Sequence, residues 1–140
     1  MADFRRVNEG RLAELRELAR SVERTLDDFG VRVISLLDES GVAGVVVDVD
    51  AGDDAAGGIH VTWMAPRELS AQAYGYVLAG DSGHEVVGQV QRLGAVMFEA
   101  VMMMLSCAGF QVRESEDDMR PLSIDVIAGP GSVKRPEASS

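Results

Sequence analysis

One cysteine, Cys107, is all that the 140 residues contain, so no intramolecular disulfide can form and the chain fits a reducing compartment. Histidine is nearly as scarce. His60 and His84 are the two present, and with one thiol they cannot build a four-ligand zinc site without carboxylates. Aromatic residues make up 5% of the chain and proline occurs four times. No apolar run is long enough to span a bilayer, since the longest, AVMFEAVMMML from Ala95, is interrupted by Glu99. The opening MADFRRVNEG has no apolar core of a secretion signal, and a cytosolic, soluble protein is expected.

Basic side chains are also in short supply, at 13 against 23 acidic, for a net charge of −10. The imbalance lies in the middle of the chain: residues 31–130 carry 5 basic and 15 acidic groups. Such a body repels phosphate backbones, whose binding needs Lys and Arg to release counterions, and it is repelled by anionic membrane surfaces. Nucleic acid and membrane are therefore excluded as expected partners, whereas a basic protein would be drawn in. With 46% apolar and 26% charged residues the composition is that of a folded domain.

What is present reads as α+β. From Asn8, placed as an N-cap, the apolar residues Leu12, Leu15, Ala19, Val22, Leu26 and Phe29 recur at helical spacing, and Gly30 ends the run. The stretch 31–41 could open as a strand through Val31 and Val33, but Leu36, Leu37 and the closing Gly41 favour a short helix. Two alternating strands follow: Val45, Val47 and Val49 face away from Asp48 and Asp50, and Ile59, Val61 and Trp63 face away from His60 and Thr62. Pro66 opens a second helix. A long helix, Gly83 to Ala108, is apolar on most sides and is expected to be buried centrally, with Cys107 inside. Then come a strand that Phe110 and Val112 begin and that runs through QVRES, an acidic turn, and a strand with Leu122, Ile124 and Val126 on one side.

The order helix, strand, acidic turn, strand thus occurs twice. It predicts a two-layer domain over 1–130: a mainly antiparallel sheet of about four strands in two hairpins, with helices on one face and a flexible tail at 131–140. On the other face the alternation gathers Asp48, Asp50, His60, Thr62, Gln111, Arg113, Ser123 and Asp125.

Several motifs fail on inspection. Gly80–Gly83 spells GDSG, which surrounds the nucleophile of chymotrypsin-like serine proteases, but the likeness ends after four residues and the chain is too short for two barrels. Ser82 and Glu85 are better read as a capping box for the long helix. His84-Glu85 opens a zincin motif whose second histidine position is Gly88. Met97, Met102, Met103 and Met104 with Cys107 have the spacing of a soft metal site, yet thioethers more often fill a core or line a subunit contact. Asp48, Asp50, Asp53 and Asp54 miss a calcium-loop register, with Gly52 at the fifth position and Ile59 at the twelfth.

No catalytic residue, cofactor or metal is therefore assigned. The acidic turns, Asp48, Asp50, Asp53 and Asp54 in one half and Glu114, Glu116, Asp117 and Asp118 in the other, together with His60 and Thr62, are the candidate docking residues for a basic partner. The expected role is a non-enzymatic binding module: an inhibitor, an immunity-type neutraliser or a chaperone. The alternative is a small enzyme or ligand-binding protein using the polar sheet face around His60. A homodimer through a strand edge or the methionine helix is a third reading.

Overall fold

A computed structural model describes residues 2–50, 58–116 and 122–130, residues 2–8 by their backbone. Three helices and a four-stranded antiparallel sheet make an α+β fold: α1 (Ala2–Asp28), β1 (Gly44–Asp50), β2 (Gly58–Met64), α2 (Arg67–Leu78), α3 (Glu85–Cys107), β3 (Gln111–Glu114) and β4 (Ser123–Ala128). The strand order is β1-β2-β4-β3, so each hairpin contributes one central and one edge strand. The expected tail at 131–140 lies outside the described residues.

In α1 the buried stripe is Leu15, Ala19, Val22 and Leu26, spaced by four, three and four. Asn8 does not cap this helix. Nothing between Ala2 and Val7 breaks a helix, and the first turns continue through Asn8 from Ala2. All three helices end alike: Gly30, Gly80 and Gly109 take φ of 86°, 82° and 98°, and the next amides, of Val31, Asp81 and Phe110, donate back to Leu26, Tyr76 and Leu105. This closure satisfies the last helical carbonyls, and it needs a residue without Cβ at the left-handed position.

The short helix expected within 31–41 does not form. Instead Val33 bridges Val45 in parallel, with Ile34 N–H donating to Val45 O and Val45 N–H to Arg32 O. The edge of β1 has amides that need partners, and β-branched Val31, Val33 and Ile34 suit an extended chain. Gly44 allows the approach, because a Cβ there would lie 2.7 Å from Ile34 Cγ2 and 2.9 Å from the Arg32 carbonyl. Beyond the bridge, Arg67 holds the loop by donating to the carbonyls of Asp38 and Glu39, while its own amide donates to Gly41 O.

The core joins α1 to the valine side of the sheet and to α3: Leu15, Ala19, Val22, Leu26, Val45, Ile59, Val61, Val101, Leu105, Phe110, Ile124 and Val126 are its buried members. Val47, Val49, Trp63 and Val112 pack against it, as the alternation requires. Leu122 is the exception, standing exposed before β4 begins.

α3 departs furthest from expectation. It begins at Glu85 with His84, not Ser82, as its cap: the His84 ring accepts the Val86 N–H through Nδ1 at 3.1 Å and stacks on Tyr76, ring centroids 3.5 Å apart. Ser82 is occupied in the turn that precedes it. Nor is α3 central. Val87, Val101 and Leu105 are its buried residues, while Leu93, Val96 and Met103 stand exposed, and Cys107 is exposed rather than interior. One side rests on the sheet and another on α2, which leaves a third uncovered.

Candidate functional site

Strand register assembles the polar face into rows. Asp48 lies opposite His60, His60 opposite Asp125, and Asp125 opposite Arg113, so one row crosses all four strands. Directly paired residues project to the same side. A carboxylate only accepts hydrogen bonds, so the His60 ring donates from Nδ1 to Asp125 Oδ1, at 2.8 Å, and Arg113 Nε donates to Asp125 Oδ2 at 3.4 Å. In the next row Thr62 Oγ1 and Ser123 Oγ are bonded at 3.1 Å, and Ser115 N–H donates to Ser123 O.

These residues do not simply meet water. His60 is 3% and Ser123 1% exposed, and the Asp125 side chain 14%. A polar face can be this dry only when its groups satisfy one another, and among the described residues no buried side-chain nitrogen or oxygen lacks a partner. The expectation of an open, wet face is corrected accordingly: its centre is a buried hydrogen-bonded strut tying β2, β4 and β3, with Arg113 half exposed at the rim.

Beside the strut is a cleft of about 260 Å³, bordered by Arg11, Glu14 and Leu18 of α1, His60 of β2, Arg113 of β3, and Asp125 and Ile127 of β4. Two arginines and two carboxylates nearly cancel there, so the cleft does not select strongly for one sign of charge. An Asp–His pair is how a general base is oriented, but catalysis also needs a nucleophile or reacting atom in reach of the ring. The hydroxyls of the neighbouring row, Thr62 and Ser123, are bonded to each other. Among the described residues no three His, Cys, Asp or Glu side chains gather as metal ligands.

The docking residues expected from the sequence are only partly brought together. Asp48 and Asp50 are half-buried on β1, on the side of His60 and Thr62. Asp53, Asp54, Asp117 and Asp118 lie outside the described residues. Glu114 and Glu116 are exposed, but Glu114 sits opposite Ile124, on the side of Val112, at the far edge of the sheet and level with Val47. Three interstrand spacings and a three-residue offset place Asp50 and Glu114 roughly 17 Å apart. Of the described acidic residues, Asp50 and Glu114 thus stand apart and do not form one patch.

Sequence reasoning put Asp125 and Arg113 on the polar face without joining them to His60. The signal was there in period-two alternation, but the join required knowing that β2 pairs with β4. Arg11 and Glu14 gave no signal, since they read as a solvated helix face. Protein-family models, curated proteins and solved structures yield no match to this chain.

Proposed function

We propose that the protein is a non-enzymatic binding module of the cytosol whose acidic body docks a basic protein partner, as an inhibitor, immunity-type neutraliser or chaperone does. The observation that carries this reading is the use made of the His–carboxylate chain found among the described residues. His60, Asp125 and Arg113 are spent on joining three strands, with the histidine ring buried, while the −10 net charge falls on residues 31–130. Charge of one sign on a small body steers encounter with the opposite sign and falls off with salt. Because Asp50 and Glu114 stand apart, a partner engages one of them closely or spans the sheet between them.

The test is capture of partners from the native cytosol and elution by salt, repeated with D48N/D50N/D53N/D54N and with E114Q/E116Q/D117N/D118N. Retention should fall steeply with salt, and one set of substitutions should weaken it more than the other. Retention indifferent to salt and to both sets would refute the docking role.

The cleft beside His60 favours a second reading, a small-ligand site in which Arg11, His60 and Arg113 contact the ligand. NMR screening with small acids and amines separates the two. Shifts clustered on those three residues favour the ligand site, and their absence across the screen discards it.

A further inference from the structure

The uncovered side of α3 has a regular pattern. Leu93, Val96, Ala100, Met103 and Cys107 follow one another at intervals of three, four, three and four, the spacing of a heptad seam, and of these Leu93, Val96, Met103 and Cys107 are exposed. At about 100° per residue this stripe lies well away from Val87, Val101 and Leu105, which face the rest of the molecule. Contrary to the expectation from the run interrupted by Glu99, α3 taken whole is by length and composition apolar enough to cross a membrane, yet only 11% of its most apolar stretch is buried. Beside the seam stand Arg92 and Glu99, one heptad apart and both exposed, with no ion pair to any other group among the described residues.

We propose that the part of this seam around Leu93 and Val96 is the dimer interface of the protein, with α3 packing antiparallel against α3 of a second copy. The charges select both the occupant and the direction. With Leu93 against the partner's Val96 about a two-fold axis, Arg92 meets the partner's Glu99 and Glu99 meets the partner's Arg92, two ion pairs from one self-complementary surface. A parallel pair would instead set Arg92 and Glu99 beside methionines, at Met97 and Met104 of the partner subunit, with no complement. A bilayer is the poorer occupant, because Arg92 and Glu99 flank the stripe and the domain is strongly anionic.

Light scattering and sedimentation at micromolar concentration should give twice the chain mass. Val96 is 64% exposed, so Val96→Glu leaves the fold intact, which circular dichroism checks, and should weaken the dimer about a hundredfold or more by placing two carboxylates on the axis. Arg92→Glu and Glu99→Arg should each weaken it about tenfold, and the double exchange should restore it. Mild oxidation should not cross-link the chains, since antiparallel packing holds the two Cys107 residues roughly 35 Å apart. A monomer at these concentrations, a dimer unaffected by Val96→Glu, single exchanges that the double exchange does not rescue, a Cys107 disulfide, or a monomer that pellets with phosphatidylcholine vesicles would each overturn the proposal.

Discussion

Removing the carboxylate of Asp125 is the sharpest probe of the polar strut. In Asp125→Ala the His60 Nδ1–H loses its acceptor inside the sheet, where the ring is 3% exposed. An unsatisfied buried donor costs about 1–3 kcal/mol. The Arg113 contact is half exposed and 3.4 Å long, so its loss adds less than about 1 kcal/mol. The expected destabilisation is therefore about 1–4 kcal/mol, or roughly 3–14 °C in Tm for a domain of this size. Asp125→Asn retains an acceptor oxygen and should lose about half as much. Urea denaturation of the wild type, both single alanine variants at positions 60 and 125, and the double variant gives the coupling. A coupling of about 1–2 kcal/mol is expected. If Asp125→Ala cost under about 0.5 kcal/mol, or if the two losses simply added, the strut would not be holding the strands and the case against a catalytic His60 would lose its support.

Three further outcomes follow from local geometry. Gly44→Ala pushes a Cβ into the Arg32 carbonyl and Ile34, at 2.9 and 2.7 Å, so a loss of about 1–3 kcal/mol with faster hydrogen exchange at Ile34 and Val45 is expected, and unchanged exchange would refute the packing argument. His84→Ala removes both a helix cap and the stack on Tyr76 and should cost about 1–2 kcal/mol in chemical denaturation, whereas His84→Asn, which still caps, should recover about half. The hydroxyl and then the amide of Ser40 hold the Asp38 carboxyl below its ordinary range, with help from Arg67 and Arg32. A depressed folded-state value means that this contact stabilises the loop above the unfolded-state pKa and is lost as pH falls through the folded one. Ser40→Ala should move the Asp38 midpoint upward in a carbon-13 titration, and an unmoved midpoint would show that the hydroxyl plays no part.

Much of the fold was legible because period is a local property. The valines of β1 and β2, the stripe of α1 and the three glycine closures each announce themselves within a few residues, and each holds in three dimensions. The segment 31–41 departs from the favoured helix toward the extended alternative because its conformation is set by a distant partner: Val33 is extended because β1 offers it an unpaired edge. The cap of α3 was misread for a similar reason, since the His84 ring is fixed by Tyr76 on another helix. The candidate site shows the same division. Alternation places His60, Arg113 and Asp125 on one side, but only the β2–β4 pairing brings them within bonding distance.

α3 carries the lesson one step further. A helix lying on a sheet buries about one side, and here the sheet is shared, with α1 against β1 and β2 and α3 against β2, β3 and β4. α2 covers a second side of α3 at its N-terminal half. A sequence with two apolar sides would have been enough for that arrangement, yet α3 has a third, at the heptad positions Leu93, Val96 and Met103. Each of those residues stands to gain about 1.5–3 kcal/mol from full burial, and the single chain leaves most of that gain unrealised. Hydrophobic patterning counts the sides of a helix that need covering without saying whether the cover comes from the same chain, so an all-round apolar helix in a small domain points to a buried position or to a subunit contact with equal force. In this protein the exposure of Leu93, Val96 and Met103 excludes the buried position for that side within one chain, and the subunit contact is what the light-scattering test addresses.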